Sequence, residues 1–246
     1  MGDTRQYSTL KKLRVIIFFK SGRLIRAWAY TIVRWTTAPI GPRERDIYRE
    51  AETAGKAALL LSHAVAQPLA LIKPFELHTR LTRTMLQVLQ TDTLNAHGYR
   101  NPTDADLETM KHFQFNDLNP LHAKSLYYSS EINRTTGAVC FSIRRLQPSL
   151  HLVCPKDVSH IRLYITVANT DFRKHKSQVE SVYHEMIPAH SADLYNVQME
   201  CCLKPWNYQP VFIFFGVEMF CGDSVVSPRY QEGLLDMLMI AHISKV

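Results

Sequence analysis

Cysteine, glycine and proline are all sparse in this chain of 246 residues. It contains five cysteines, nine glycines and twelve prolines. The cysteines are odd in number and scattered, and no two of them form a CxxC pair, which argues against a secreted disulfide framework and predicts free thiols in a reducing compartment. The few glycines and prolines exclude a collagen-like or linker-rich chain.

Long apolar segments are also missing. The apolar run at 15–19 ends after five residues at Lys20, far short of the ~20 that a membrane helix needs. No small-residue cleavage site follows this run, so the segment does not fit a signal peptide. We therefore predict a cytoplasmic protein with no transmembrane segment.

Complete catalytic signatures are absent as well. Gly55-Lys56 lacks the earlier glycine of a phosphate-binding loop and is followed by Ala57, where that loop needs Ser or Thr. No GxSxG motif is present. His184, Glu185 and His190 are interrupted by Pro188 and have no third ligand nearby. The sequence thus predicts no metal, no cofactor and no small-molecule ligand.

One pair leaves an enzymatic alternative open. Cys154 and His160 are the nearest thiol and imidazole in the sequence, and Lys156 and Arg162 add positive charge around them. A cysteine nucleophile needs a base within hydrogen-bond reach, which sequence proximity does not guarantee. We predict a protein that is not an enzyme, with a cysteine-dependent hydrolase as an alternative.

Positive charge is concentrated at the N-terminus. The first 45 residues contain ten Lys and Arg against two acids, a net +8, whereas the whole chain carries +7. Clustered charge attracts counter-charges far better than dispersed charge does. We expect any anionic partner to bind at this end of the chain.

The basic segment has the pattern of a β-hairpin over 12–34. The run at 15–19 is β-branched and aromatic, Ser21-Gly22 supplies a turn, and a second strand-like run follows. A basic amphipathic helix lying on a membrane is the alternative. The β-branched run and the Ser-Gly break favour the hairpin.

Helical periodicity follows the hairpin. Apolar residues recur every three or four positions over 43–66, where Pro68 is expected to stop a first helix, and again over 76–89. The short connection predicts that the two helices pack antiparallel. A short third helix is expected over 104–112.

Alternating periodicity replaces the helical pattern after Asn119-Pro120. Seven strands are predicted, at 124–132, 138–146, 161–170, 178–184, 193–203, 211–221 and 234–244. Seven short strands separated by turns favour a β-sandwich. The predicted fold class is α+β: an N-terminal β-hairpin and a helical hairpin in residues 1–118, then a β-sandwich-like domain in 119–246.

Several motifs resemble a known group of sequences. They are Arg43-x-Arg45, Glu50 with Ala54-Gly55-Lys56-Ala57, the runs at 79–85 and 92–101, Phe113-Gln114-Phe115-Asn116, and the C-terminal runs at 215–220 and 240–246. The chain resembles a family of uncharacterised Bacteroidota proteins of similar length. This resemblance implies a bacterial protein with the same domain plan, and it implies no activity or site.

Arginines and aromatics alternate along the second arm of the hairpin. Such a mixture fits a protein interface, a nucleic-acid surface or a solvated hairpin face. We predict a structural or assembly component that binds itself or another protein, with nucleic acid as the alternative partner. The predicted interaction residues are Arg23, Arg26, Trp28, Tyr30, Arg34 and Trp35.

Overall fold

The computed structural model describes residues 14–20, 23–29, 41–72, 76–116, 126–205, 208–222 and 236–245. The chain divides into two compact units, Met1–Glu44 and Arg45–Val246. The boundary predicted at 118/119 lies within 117–125, outside the described residues. The division into 1–118 and 119–246 therefore stays a prediction.

The first unit contains an antiparallel pair of strands, β1 (Arg14–Lys20) and β2 (Arg23–Ala29). Their register pairs Arg14 with Ala29 and Lys20 with Arg23, so the strands are matched over their full length. The strands predicted over 12–34 are therefore present at 14–20 and 23–29. The predicted turn Ser21-Gly22 and the residues after Ala29 lie outside the described part.

Three helices follow: α1 (Pro42–Ala64), α2 (Ala66–Ile72) and α3 (Leu77–Gln90). Pro42 suits the first helical position, where no N–H is needed, and the Glu44 carboxylate accepts a hydrogen bond from the N–H of Gly41. The second predicted helix is confirmed as α3. Pro68 does not stop the first helix as expected. The chain turns at Val65, and Pro68 lies in the first turn of α2, where its missing N–H is tolerated.

The predicted helix over 104–112 is wrong in type and length. Only a 3-10 turn, η1 (Leu107–Met110), forms there. The next residues run antiparallel to the last strand: the N–H of His112 donates to the carbonyl of Ile240, and the N–H of Phe115 donates to that of Leu238. This segment covers the outer edge of that strand.

All seven predicted strands are present; most ends shift by no more than four residues, but the first strand begins at Ser129 and not at 124. They are β3 (Ser129–Ile132), β4 (Ala138–Leu146), β5 (His160–Asp171), β6 (Lys176–Pro188), β7 (Tyr195–Cys202), β8 (Val211–Phe220) and β9 (Met237–Ser244), with a single helical turn, α4 (Pro148–His151), after β4. Two antiparallel sheets result, with strand orders β3-β4-β7 and β6-β5-β8-β9. The α+β class is confirmed.

The larger sheet has an apolar core on each face. Tyr164, Phe212 and Phe214 point to one face and share a core with α1, α2 and α3. Ile165, Phe215 and other residues of the opposite face share a second core with the three-stranded sheet. Burial on both faces explains why β8 is buried throughout its length and is apolar except for Glu218. Within the described residues, no helix is both long and apolar enough to cross a membrane.

Candidate functional site

The predicted interaction residues fall only partly within the described chain. Arg23, Arg26 and Trp28 belong to β2, where their backbones lie opposite Lys20, Ile17 and Val15 respectively. Tyr30, Arg34 and Trp35 lie outside the described residues. The interaction role of these six residues therefore stays a prediction.

The formal charge of the chain follows the division into units. Residues 1–44 contain nine Lys and Arg against two acids, which gives the first unit all of the net +7. The second unit contains 20 basic and 20 acidic residues, which cancel. In the described part of the chain, β1 and β2 form a two-stranded sheet with no third strand. The first unit thus combines high charge with two strand edges open for pairing.

The thiol of Cys154 does not have the environment of a nucleophile. It is half-buried beside the core between the sheets, and burial raises its pKa to about 11. The Nδ1 atom of His160, the predicted base, has no hydrogen-bond partner among the described residues. A reactive cysteine needs a lowered pKa. These findings weigh against the hydrolase alternative at Cys154.

His184 and His190, which were predicted not to bind a metal, lie in the described part of the chain. The Nδ1 atom of His184 lies 2.9 Å from the carbonyl oxygen of Glu185, so this ring nitrogen is within hydrogen-bond distance of its own strand. Among the described residues, no three His, Cys, Asp or Glu side chains are grouped so as to hold a metal ion.

An open groove of about 610 Å³ lies on the exposed side of the three-stranded sheet. Strand pairing builds it: Glu131 on β3 and Glu200 on β7 both lie opposite Cys140 on β4. We call it the acidic groove, and its lining residues are Glu131, Ile132, Asn133, Ala138, Val139, Cys140, Glu200, Cys201 and Cys202.

Carboxylates add to the effect of burial on the thiols of the acidic groove. The pKa of Cys140 is raised by burial and further by Glu200 and Glu131. The pKa of Cys201 is raised to about 11 by burial and then by Glu180 and Cys202. In the described part of the chain, none of these three glutamates forms a salt bridge. The carboxylates of the groove are therefore not paired with a basic side chain in the described part of the chain.

A second groove of about 550 Å³ lies between the α1–α2 turn and β6. His63, Gln67 and Pro68 line one side, and Glu180 and Tyr183 line the other. Glu180 thus borders this groove and also acts on Cys201 of β7, because β6 and β7 are neighbours at the edge of the two sheets.

A buried ion pair lies on the helix-facing side of the larger sheet. The Nε and Nη2 atoms of Arg162 donate to one oxygen of Glu218 at 2.7 and 2.6 Å. The guanidinium also lies over the rings of Tyr183 and Phe220. Because the guanidinium of Arg162 is already bound to the carboxylate of Glu218, we interpret the ion pair as structural.

The loop after α3 is organised by carboxylates that the sequence analysis did not single out. Asp92 accepts hydrogen bonds from the backbone N–H groups of Leu94, Asn95 and Asn101 and from the Asn95 side chain. Burial would raise the pKa of Asp92, but these four hydrogen bonds outweigh it and lower the pKa below its usual 3.8. The Asp-x-x-Asn spacing was a usable signal for this turn.

Glu50 connects that loop to α1. Its buried carboxylate accepts a hydrogen bond from the N–H of Gly98 at 2.9 Å. His97 Nε2 lies 3.5 Å away and Arg100 Nη1 lies 3.7 Å away. Gly98 has φ +85°, and a Cβ there would lie 2.6 Å from Asp46. Glu50 and the run at 92–101, which carry part of the sequence resemblance, thus serve to hold this loop in place.

Comparisons with known proteins found no match to this chain. No protein-family model matches the chain, no curated protein matches it, and no solved structure matches it. The resemblance to uncharacterised Bacteroidota proteins therefore stays a prediction.

Proposed function

We propose that this chain is a non-enzymatic structural or assembly component that associates with itself or docks on another protein through its N-terminal hairpin. The observation that carries this proposal is the division of the chain. The smaller unit holds the whole net charge and a two-stranded hairpin, while the larger unit is formally neutral. The larger unit, with its two sheets and a shared core, is proposed to be a β-sandwich-like scaffold.

Physical chemistry supports an associating role for the hairpin. A two-stranded hairpin alone is at best marginally stable in water, and a third strand or an apolar surface stabilises it. Within the described residues, each of its strands has one edge that pairs with no other strand and could pair with a neighbour. The sequences of β1 and β2 are mostly apolar, as in strands that are covered on both sides. Association would supply both the pairing and the cover.

Trp28 and the arginines of β2 have separate parts in this proposal. Tryptophan, tyrosine and arginine are the residues most enriched at the energetic centres of interfaces. Trp28, Tyr30 and Trp35 would bury apolar area, and Arg23, Arg26 and Arg34 would orient the partner. Nucleic acid is the rival partner, because the same residue types contact phosphates and stack on bases.

Light scattering of the full chain across a salt series separates these partners. We expect wild type to form oligomers that weaken only modestly between about 50 and 200 mM salt, because an aromatic-anchored interface depends little on counterions. Trp28→Ala should abolish them. Tyr127→Ala, which removes an aromatic that is 85% exposed on the larger unit, is the matched control and should leave them unchanged.

The outcome that would contradict the proposal is a monomer at all concentrations that is insensitive to Trp28→Ala. A shift in size only on adding nucleic acid, with an affinity that falls by orders of magnitude over the same salt range, would assign the hairpin to nucleic-acid binding instead. Circular dichroism of each variant verifies that the fold is retained.

A further inference from the structure

We propose that the acidic groove is the acceptor for the basic N-terminal hairpin of a second copy of this chain. This inference rests on the proposed function and names the surface with which the hairpin associates. The groove is open and lies on the solvent side of the three-stranded sheet, so a neighbouring molecule can reach it.

Charge complementarity selects this occupant. Two hairpin units each carry a formal +7 and repel one another, so a hairpin-to-hairpin contact is disfavoured. The second unit is neutral as a whole, yet Glu131, Glu180 and Glu200 concentrate negative charge in and beside the groove without a salt-bridge partner in the described part of the chain. The basic residues of β2 supply the missing counter-charges.

The floor and rim of the groove suit an aromatic hairpin. Cys140 lies between the two glutamates, and Ala138 and Cys202 lie beside it on the same face of the sheet. Trp28 would cover that surface while the arginines contact the carboxylates. The rim includes β3, which is the outer strand in the order β3-β4-β7; its other edge pairs with no strand of the described residues and could accept an added one.

This pairing is heterologous, because the hairpin of one copy contacts a different surface on the next. Heterologous contacts generate closed rings or open filaments and do not stop at a two-fold dimer. Assembly should therefore proceed beyond dimers as the concentration rises.

Charge reversal on each surface of the full chain tests the inference. The groove variant is Glu131→Lys with Glu200→Lys, and the hairpin variant is Arg23→Glu with Arg26→Glu. Each alone should weaken self-association at least tenfold in sedimentation velocity. The control, Asp157→Lys with Glu185→Lys, reverses two exposed carboxylates outside the groove and should associate like wild type.

Mixing the two reversed variants gives the sharpest readout. In an equimolar mixture each hairpin meets a groove of opposite charge on the other variant, so alternating copies should associate although neither variant does so alone. A chain carrying all four reversals should regain association, because the charges are again complementary. Glu131→Gln with Glu200→Gln, which preserves side-chain size, replaces the groove variant if that variant does not melt like wild type, and it should also weaken association.

Failure of this inference can be distinguished from failure of the proposed function. If the hairpin variant dissociates while both groove variants associate like wild type, the acceptor is wrong and the proposed function stands. If neither the hairpin variant nor Trp28→Ala changes the association state, both proposals fall. An equimolar mixture that associates no better than either reversed variant alone would also overturn the inference.

Discussion

Gly216 in β8 lies where the helix-facing side of the larger sheet is tightly packed. The position of a Cβ there would lie 2.0 Å from Cζ of Tyr164, whose buried ring stacks on Tyr183 with centroids 5.4 Å apart. Gly55 in α1 is the opposite case, since no atom of the described residues comes within 4 Å of its Cβ position. No local sequence pattern distinguishes these two glycines.

Alanine substitution should therefore have opposite effects at the two positions. Gly216→Ala should lower the free energy of unfolding by about 1–3 kcal/mol or more, because the buried ring has little room to move. Gly55→Ala should raise it by up to about 1 kcal/mol through helix propensity. Denaturant unfolding of both variants measures the difference. Equal effects of the same sign would show that the packing around Gly216 is wrong.

The five cysteines differ in reactivity for physical reasons. Cys202 and Cys221 are exposed, whereas burial raises the pKa of both Cys154 and Cys201 to about 11. A thiol pKa raised from 9 to 11 leaves about a hundredfold less thiolate at neutral pH, and the thiolate is the reactive form.

Maleimide labelling at pH 7 should thus modify Cys202 and Cys221 first. Timed quenching followed by peptide mass spectrometry measures the order. Cys202→Ser is the control, and it should remove one of the two fast sites and leave the other. Fast stoichiometric labelling of Cys154 would contradict this account and would favour the hydrolase alternative.

At the scale of elements, the turn after α3 depends on the ionised carboxylate of Asp92. Asp92 has a lowered pKa in the folded chain, so its contribution to stability is present above the unfolded pKa of about 3.8 and is lost as pH falls through the lower folded pKa. Asp92→Asn replaces an acceptor oxygen by a donor NH₂ group and leaves backbone N–H groups unpaired.

We expect Asp92→Asn to destabilise the protein by about 1–3 kcal/mol at pH 7. The difference from wild type should shrink as pH falls below about 4, because the wild-type carboxyl becomes protonated. Urea unfolding at a series of pH values measures this, with Asp157→Asn, an exposed carboxylate, as the control. A difference that is independent of pH would contradict the role of the ionised form.

The strands were the most predictable elements. Ile161, Leu163, Ile165 and Val167 alternate with other residues at period two, and this pattern predicted β5 directly. Pro68 was wrongly predicted to stop the first helix, because proline is tolerated in the first turn of a new helix. The groove lay beyond sequence reasoning, because Glu131, Cys140 and Glu200 meet only through strand pairing across about 70 residues of chain. No local pattern encodes which strands pair.

On the scale of the whole molecule, the net charge lies in one of the two compact units of the chain. A neutral unit with two apolar cores is joined to a smaller unit that carries the net charge of +7. A charged hairpin that has only two strands in its described part is an arrangement that association would stabilise. This division links the sequence pattern to the proposed assembly role.

Hydrogen exchange of the hairpin amides, measured at low and high protein concentration, tests that role most directly. The account predicts that protection of 14–20 and 23–29 rises with concentration, because association pairs and covers these strands. Protection of β5 and β8, which lie inside the larger unit, should stay constant. Hairpin protection that is the same at every concentration would contradict assembly through the hairpin.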